Sequence, residues 1–311
     1  MRNAVLNELV SLAARDERVV FLTGDLGYGV VEPFFRQFPD RAVNVGVAEQ
    51  NMAAIAGGLA ASGMIPFIYS IASFASMRPF EFIRNGAAVP GLPMRIIGVG
   101  GGMEYSNNGP THFALEDIAM MRALPGMRVV CPVDDRQARA AVTEFHADPG
   151  PVYFRLSKNS IDDVEGLDKV PVADGAALLA EGDGSVAVIA LGPIAARLSL
   201  VRAALAPLGI DATTVAAFQV APEPTTLIAE IAGRHRVIVT VEAHHVRGGL
   251  GSMVSEIVAE RGGTCRVLRL GVKKWPTGIV GSPAHLDQWA GIDTRSVVES
   301  VVEALHGQRD A

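Results

Sequence analysis

Residues 44–62 read NVGVAEQNMAAIAGGLAAS. The mostly apolar stretch 43–47 is short enough for a buried strand, a carboxylate follows at Glu49, and a helix of small residues starts at once. Met52, Ile55, Ala56, Leu59 and Ala60 recur at helical spacing and are expected to face a core. Gly57 and Gly58 each weaken such a helix by about 1 kcal/mol relative to alanine, which suits a place where two backbones meet closely. Glu49 thus falls where a strand ends and a helix begins, the position at which open parallel sheets bind ligands. The same residue also reads as a solvated first-turn acid favoured by the helix dipole.

Working outward, strands and helices alternate. A helix is expected over 2–15, strands over 19–23, 66–71, 95–99, 129–132 and 152–156, and helices over 116–124 and 134–145. The loop GDLGYG (24–29) lacks the spacing of a helix-opening phosphate cradle and reads as a flexible loop beside a site. Residues 159–175 are polar, turn-rich and without sustained period, which places a linker within 161–180. Alternation then resumes, with strands near 186–191, 212–215, 237–241 and 265–270. The expectation is an α/β protein: a first domain over 1–160 with a mostly parallel sheet, and a smaller α/β domain over 181–306.

The 311 residues are 49% hydrophobic and 19% charged, with a net charge of −6 and dispersed basic residues. Neither a nucleic-acid surface nor a membrane surface is indicated. No apolar segment approaches the roughly 20 residues of a bilayer span, and the charged start (Arg15 to Arg18) is unlike a signal peptide. Two cysteines, Cys131 and Cys265, give no disulfide framework and no multi-cysteine metal site. A cytoplasmic protein is expected.

Four segments in order resemble the transketolase family of thiamine-diphosphate enzymes: the AEQNM stretch, GPTH (109–112) with LEDIAMMRALPGM, PVYFRLSKN (151–159), and VTVEAHHVRGGLGSMVSE (239–256). The resemblance implies a pyrimidine-binding domain followed by a transketolase-type C-terminal domain. No GDG with a following Asn, the family's motif for diphosphate and Mg²⁺, occurs. The chain therefore resembles the C-terminal subunit of a split transketolase. Such a subunit would work with an N-terminal partner that holds most of the diphosphate and Mg²⁺, as an α₂β₂ heterotetramer acting on small carbonyl compounds.

Site residues follow from the resemblance position by position. Glu49 would hydrogen-bond the cofactor's aminopyrimidine and push it toward its imino form, a task suited to a buried carboxyl group. Phe74, or alternatively Phe80, would stack on that ring, although three Phe within nine residues also suit a core face. His112 would face the substrate and act with Glu49 in catalysis; it could equally cap a helix. Lys158 stands where the family usually has Arg, and could attract a substrate phosphate or simply be solvated. Asn108 replaces the family's Asp before GPTH, and Gly100 stands near the position where family members acting on sugar phosphates commonly have a phosphate-binding His. Both changes put ordinary pentose phosphates in question.

His244, His245, Glu242 and Arg247 invite a metal reading, but adjacent residues on a strand point to opposite faces, so no metal is expected there. Two other activities fit parts of the pattern. One is the beta subunit of a 2-oxoacid dehydrogenase, against which the GPTH loop argues. The other is a non-catalytic regulatory subunit, against which the joint presence of Glu49, Phe74 and His112 argues.

Overall fold

Long apolar runs dictate the architecture, because strands buried on both faces need no polar alternation. In the computed structural model, which describes residues 1–306, the runs β1 (Val19–Thr23), β3 (Ile65–Ile71), β4 (Arg95–Val99) and β6 (Val152–Leu156) are buried throughout. With β2 (Ala42–Asn44), β5 (Arg128–Val130) and β10 (Gln219–Ala221) they form a seven-stranded sheet, ordered β10-β5-β6-β4-β3-β1-β2. The second sheet is β12-β11-β8-β9-β7, from β7 (Ala176–Ala180), β8 (Val186–Leu191), β9 (Thr213–Ala217), β11 (Val237–His245) and β12 (Arg266–Val272). Among the described residues, only β10 and β7 run antiparallel to their neighbours, each at a sheet edge.

Two expectations change, and one strand goes unread. The strand at 43–47 is not buried: β2 has β1 as its neighbour at the sheet edge, and Gly46, at φ 72°, turns the chain away before Val47. Ala176–Ala180, expected within the linker, is a strand paired with β9, so irregular chain gives way to the second sheet before residue 176. Its short apolar sequence, with Leu178 exposed, has too little alternation to announce an edge strand. The unread strand, β10, returns from the C-terminal half to pair with β5, a three-residue strand below the resolution of any periodicity.

The helix Glu49–Ala61 buries Glu49, Met52, Ala53, Ala56, Gly57 and Ala60, while Ile55 is exposed and Leu59 half-buried. The buried stripe is thus one step round from the expected one, led by small residues. The reason is close approach. A Cβ on Gly57 would lie 3.1 Å from the Gly86 carbonyl oxygen and 3.3 Å from its Cα, whereas Gly58 faces open space.

The two halves are joined through buried polar groups. Arg155 on β6 donates to Asp117 (2.8 Å), to the Ala114 carbonyl (3.0 Å) and to the Ala243 carbonyl on β11 (2.9 Å), and Tyr153 donates to the same carboxylate (2.7 Å). A guanidinium so deeply buried is tolerable only with its hydrogens satisfied in this way.

Candidate functional site

Six strands of the first sheet run parallel, and the candidate residues follow the carboxyl ends of five of them. After β1 comes loop 24–29, after β2 Glu49, after β3 Phe74, after β4 the loop carrying Asn108 and His112, and after β6 Lys158. Parallel sheets of this kind place ligands at that edge.

Glu49 is the first residue of its helix, with its side chain 3% exposed. It is therefore not a solvated first-turn acid. The neighbouring 24–29 loop is tied to the end of β2: Asn44 accepts from the Asp25 amide (3.0 Å) and donates to the Asp25 carboxylate (3.0 Å), and Tyr28 donates to that carboxylate as well (2.7 Å). Asp25 sits at φ 59°, a left-handed conformation that is uncommon outside glycine and is held here by those bonds. The Asn44 and Tyr28 bonds hold the Asp25 carboxyl below its usual range.

The partner of Glu49 is one that sequence reading missed. Arg78 places Nη1 3.0 Å from each carboxylate oxygen, and its guanidinium carbon lies 3.9 Å from the centre of the Phe74 ring. Phe74 and Arg78 are four residues apart at the end of the helix Ala72–Met77, so one helical turn sets the guanidinium over the ring. That i,i+4 spacing was the available signal, obscured by three nearby phenylalanines.

His112 packs its ring against Phe74 with centroids 5.0 Å apart at 60°. Partial burial, and then the Arg78 charge, lower its pKa and so favour the neutral imidazole. Thr111 Oγ1 lies 3.0 Å from its Nδ1, and Ser73 donates to its carbonyl at 3.4 Å.

Tyr105 extends this row. Its ring centroid is 6.2 Å from that of His112, and the Lys158 ammonium sits 4.8 Å from its centre. The ring also accounts for Gly100: at φ 77°, a Cβ there would meet Tyr105 at 2.2 Å. The missing side chain at 100 leaves no vacant space, because Tyr105 fills it. Asn108 is exposed in the short helical turn Ser106–Asn108. The structure thus brings together Glu49, Phe74 and His112, and reaches Lys158 through Tyr105. Phe80 packs instead on the core cluster that contains Met52, Ala53 and Ala56.

In the second domain, Glu242 accepts from the Leu250 and Gly251 amides (2.8 and 2.9 Å) and so caps the helix Leu250–Glu260. His244 is fully buried, with Nδ1 2.7 Å from the His245 carbonyl.

Comparison with known proteins accords with this geometry. A family model described as the transketolase pyrimidine binding domain matches residues 1–163, and the transketolase C-terminal domain matches residues 175–297. The chain is 36% identical over 306 residues to the 6-deoxy-6-sulfo-D-fructose transketolase subunit SqwH of Clostridium sp. (strain MSTE9), covering 97% of this chain and 94% of that protein. It is 32% identical to a putative transketolase C-terminal section of Methanocaldococcus jannaschii, covering 98% and 96%. A solved structure described as a split gene transketolase, inactive beta4 tetramer, superposes with TM-score 0.87 at 35% identity, covering 98% of this chain and 97% of the other. The chain belongs to the transketolase family, with that family's pyrimidine-binding domain followed by its C-terminal domain.

Proposed function

We propose that this chain is the C-terminal subunit of a two-chain transketolase. With an N-terminal partner it transfers a two-carbon ketol unit from a ketose to an aldehyde. Family membership implies thiamine diphosphate, which when bound supplies an acidic thiazolium carbon able to act as an electron sink. The observation that carries the reading is the meeting of a buried carboxylate, an aromatic face and an imidazole at one sheet edge.

The residues fit the pyrimidine end of the cofactor, since a flat, hydrogen-bonding cation, the Arg78 guanidinium, is already accommodated between Glu49 and Phe74. Glu49 would exchange a proton with a ring nitrogen and Phe74 would support the ring. His112, beside them, can donate to or accept from a substrate hydroxyl. Lys158 and Asn108 would read the far end of the substrate.

Exposed apolar side chains on and around the Glu49 helix, Val47, Ile55, Phe82 and Val89, suit a face covered by the partner, which would hold most of the diphosphate and Mg²⁺. Two-fold closure of two such pairs gives the α₂β₂ heterotetramer. Among the described residues no helix is long and apolar enough to cross a membrane, and both cysteines are free, which suits a cytoplasmic enzyme.

With Gly100 filled by Tyr105 and Asn108 in place of a carboxylate, we expect ordinary pentose phosphates to be used poorly. The test is donor competition in the assembled particle. Xylulose 5-phosphate with ribose 5-phosphate is set against deoxy, amino, sulfonated and unphosphorylated analogues. Ketol transfer from a modified donor supports the reading; decarboxylation of a 2-oxoacid with acyl transfer to lipoamide would overturn it.

A further inference from the structure

We propose that Arg78 is an internal gate on the pyrimidine seat: in the unloaded subunit its guanidinium fills the space between Glu49 and Phe74 and must swing out before the cofactor ring can enter. The proposal rests on reading those two residues as that seat.

Three observations carry it. First, the guanidinium makes the two contacts a planar aminoheterocycle would need. It hydrogen-bonds both oxygens of a buried carboxylate at 3.0 Å and lies 3.9 Å over an aromatic face. A ring bonded to Glu49 and stacked on that face of Phe74 would overlap it, so occupancy is exclusive. Second, the two partners differ in exposure. The Glu49 side chain is 3% exposed and fixed at a helix start, whereas that of Arg78 is 45% exposed. Arg78 reaches in from the surface and can rotate back to water with its charge solvated, while Glu49 stays in place. Third, Arg78 follows the six-residue helix Ala72–Met77 and precedes Pro79, so its backbone is held while its long side chain remains free to turn.

The pairing has a physical reason. A buried carboxylate left without a partner would be costly, and a guanidinium from the rim supplies that partner until the ring arrives. Loading then has a barrier set by the subunit itself. If the seat is open only about a tenth of the time, apparent cofactor affinity falls about 10-fold from its intrinsic value.

The test uses the subunit assembled with its partner, stripped of cofactor. Thiamine diphosphate binding is followed by calorimetry for affinity and by stopped-flow fluorescence for the rate of loading, neither of which requires turnover. Arg78→Met should load about 10-fold faster and bind about 10-fold tighter. Arg78→Lys keeps the charge near Glu49 but not the flat stacking surface, and should fall between Met and wild type. Unchanged or weaker binding in Arg78→Met would overturn the gate, since Arg78 would then be neutral or a contributor to the loaded site. Should the Met variant assemble poorly, the Lys variant decides alone: loading no faster than wild type overturns the proposal. Turnover of Glu49→Gln separates the two readings. Wild-type turnover there removes the seat itself, whereas a dead Glu49→Gln beside an Arg78→Met that loads no faster removes only the gate.

Discussion

At the scale of single residues, the site turns on a carboxylate that is buried yet reachable from one side. Glu49→Gln keeps the shape and loses the exchangeable proton. Ketol transfer in the assembled enzyme should therefore fall by about 10² to 10³, equivalent to about 2–4 kcal/mol of barrier, with assembly intact. Single-turnover kinetics and a mass measurement check both halves, and a variant within threefold of wild type would reduce Glu49 to a structural acid. His112 offers a pH test. Burial and the Arg78 charge both favour its neutral form, so its midpoint lies below the ordinary value. Arg78→Met removes the second cause, and the midpoint followed by NMR should move up. Between the two midpoints the variant's imidazole is protonated where the wild type's is neutral. A midpoint that stays put would mean that Arg78 does not act on His112. Lys158 is exposed beside Tyr105, so Lys158→Met should raise KM for anionic substrates about 10-fold, leaving uncharged analogues unaffected.

Legibility at this scale followed the chemistry. The meeting of Glu49, Phe74 and His112 was readable from a family resemblance carried largely by AEQNM and GPTH. Arg78 and Tyr105 were not, because their roles arise only when distant strand ends converge. Gly100 read as a gap in the sequence, and a ring five residues along the loop fills it.

At the scale of elements, the helix Glu49–Ala61 approaches the 84–88 turn through Gly57, with its neighbour Gly58 in open space. Adjacent glycines should thus respond oppositely to the same change. Gly58→Ala gains about 0.5–1 kcal/mol of helix propensity and meets nothing. Gly57→Ala gains the same propensity but presses on main-chain atoms that cannot rotate away, at a cost of about 1–3 kcal/mol, and should be destabilising on balance. Denaturant unfolding of the two variants checks the sign, and equal shifts would contradict the close approach. The long buried strands were legible as apolar runs. Of the edge strands, β2 was read as a strand but as a buried one, and β7 and β10 were not read, because pairing at a sheet edge is decided by neighbours far along the chain.

At the scale of the molecule, the seven-stranded sheet collects the site at one edge, and β10 with the Arg155 contacts ties the C-terminal half to it. Val47, Ile55, Phe82 and Val89 remain exposed around the Glu49 helix, which marks the direction from which a partner would cover the cleft. On the proposed function, catalysis needs this chain and a second one together. The most direct measurement is ketol transfer with thiamine diphosphate and Mg²⁺ by each purified chain alone and by their mixture, titrated to a stoichiometric end point. No turnover is expected from this chain alone, and in the mixture activity should saturate at one partner per subunit. Turnover by this chain in the absence of any partner would contradict the proposed function.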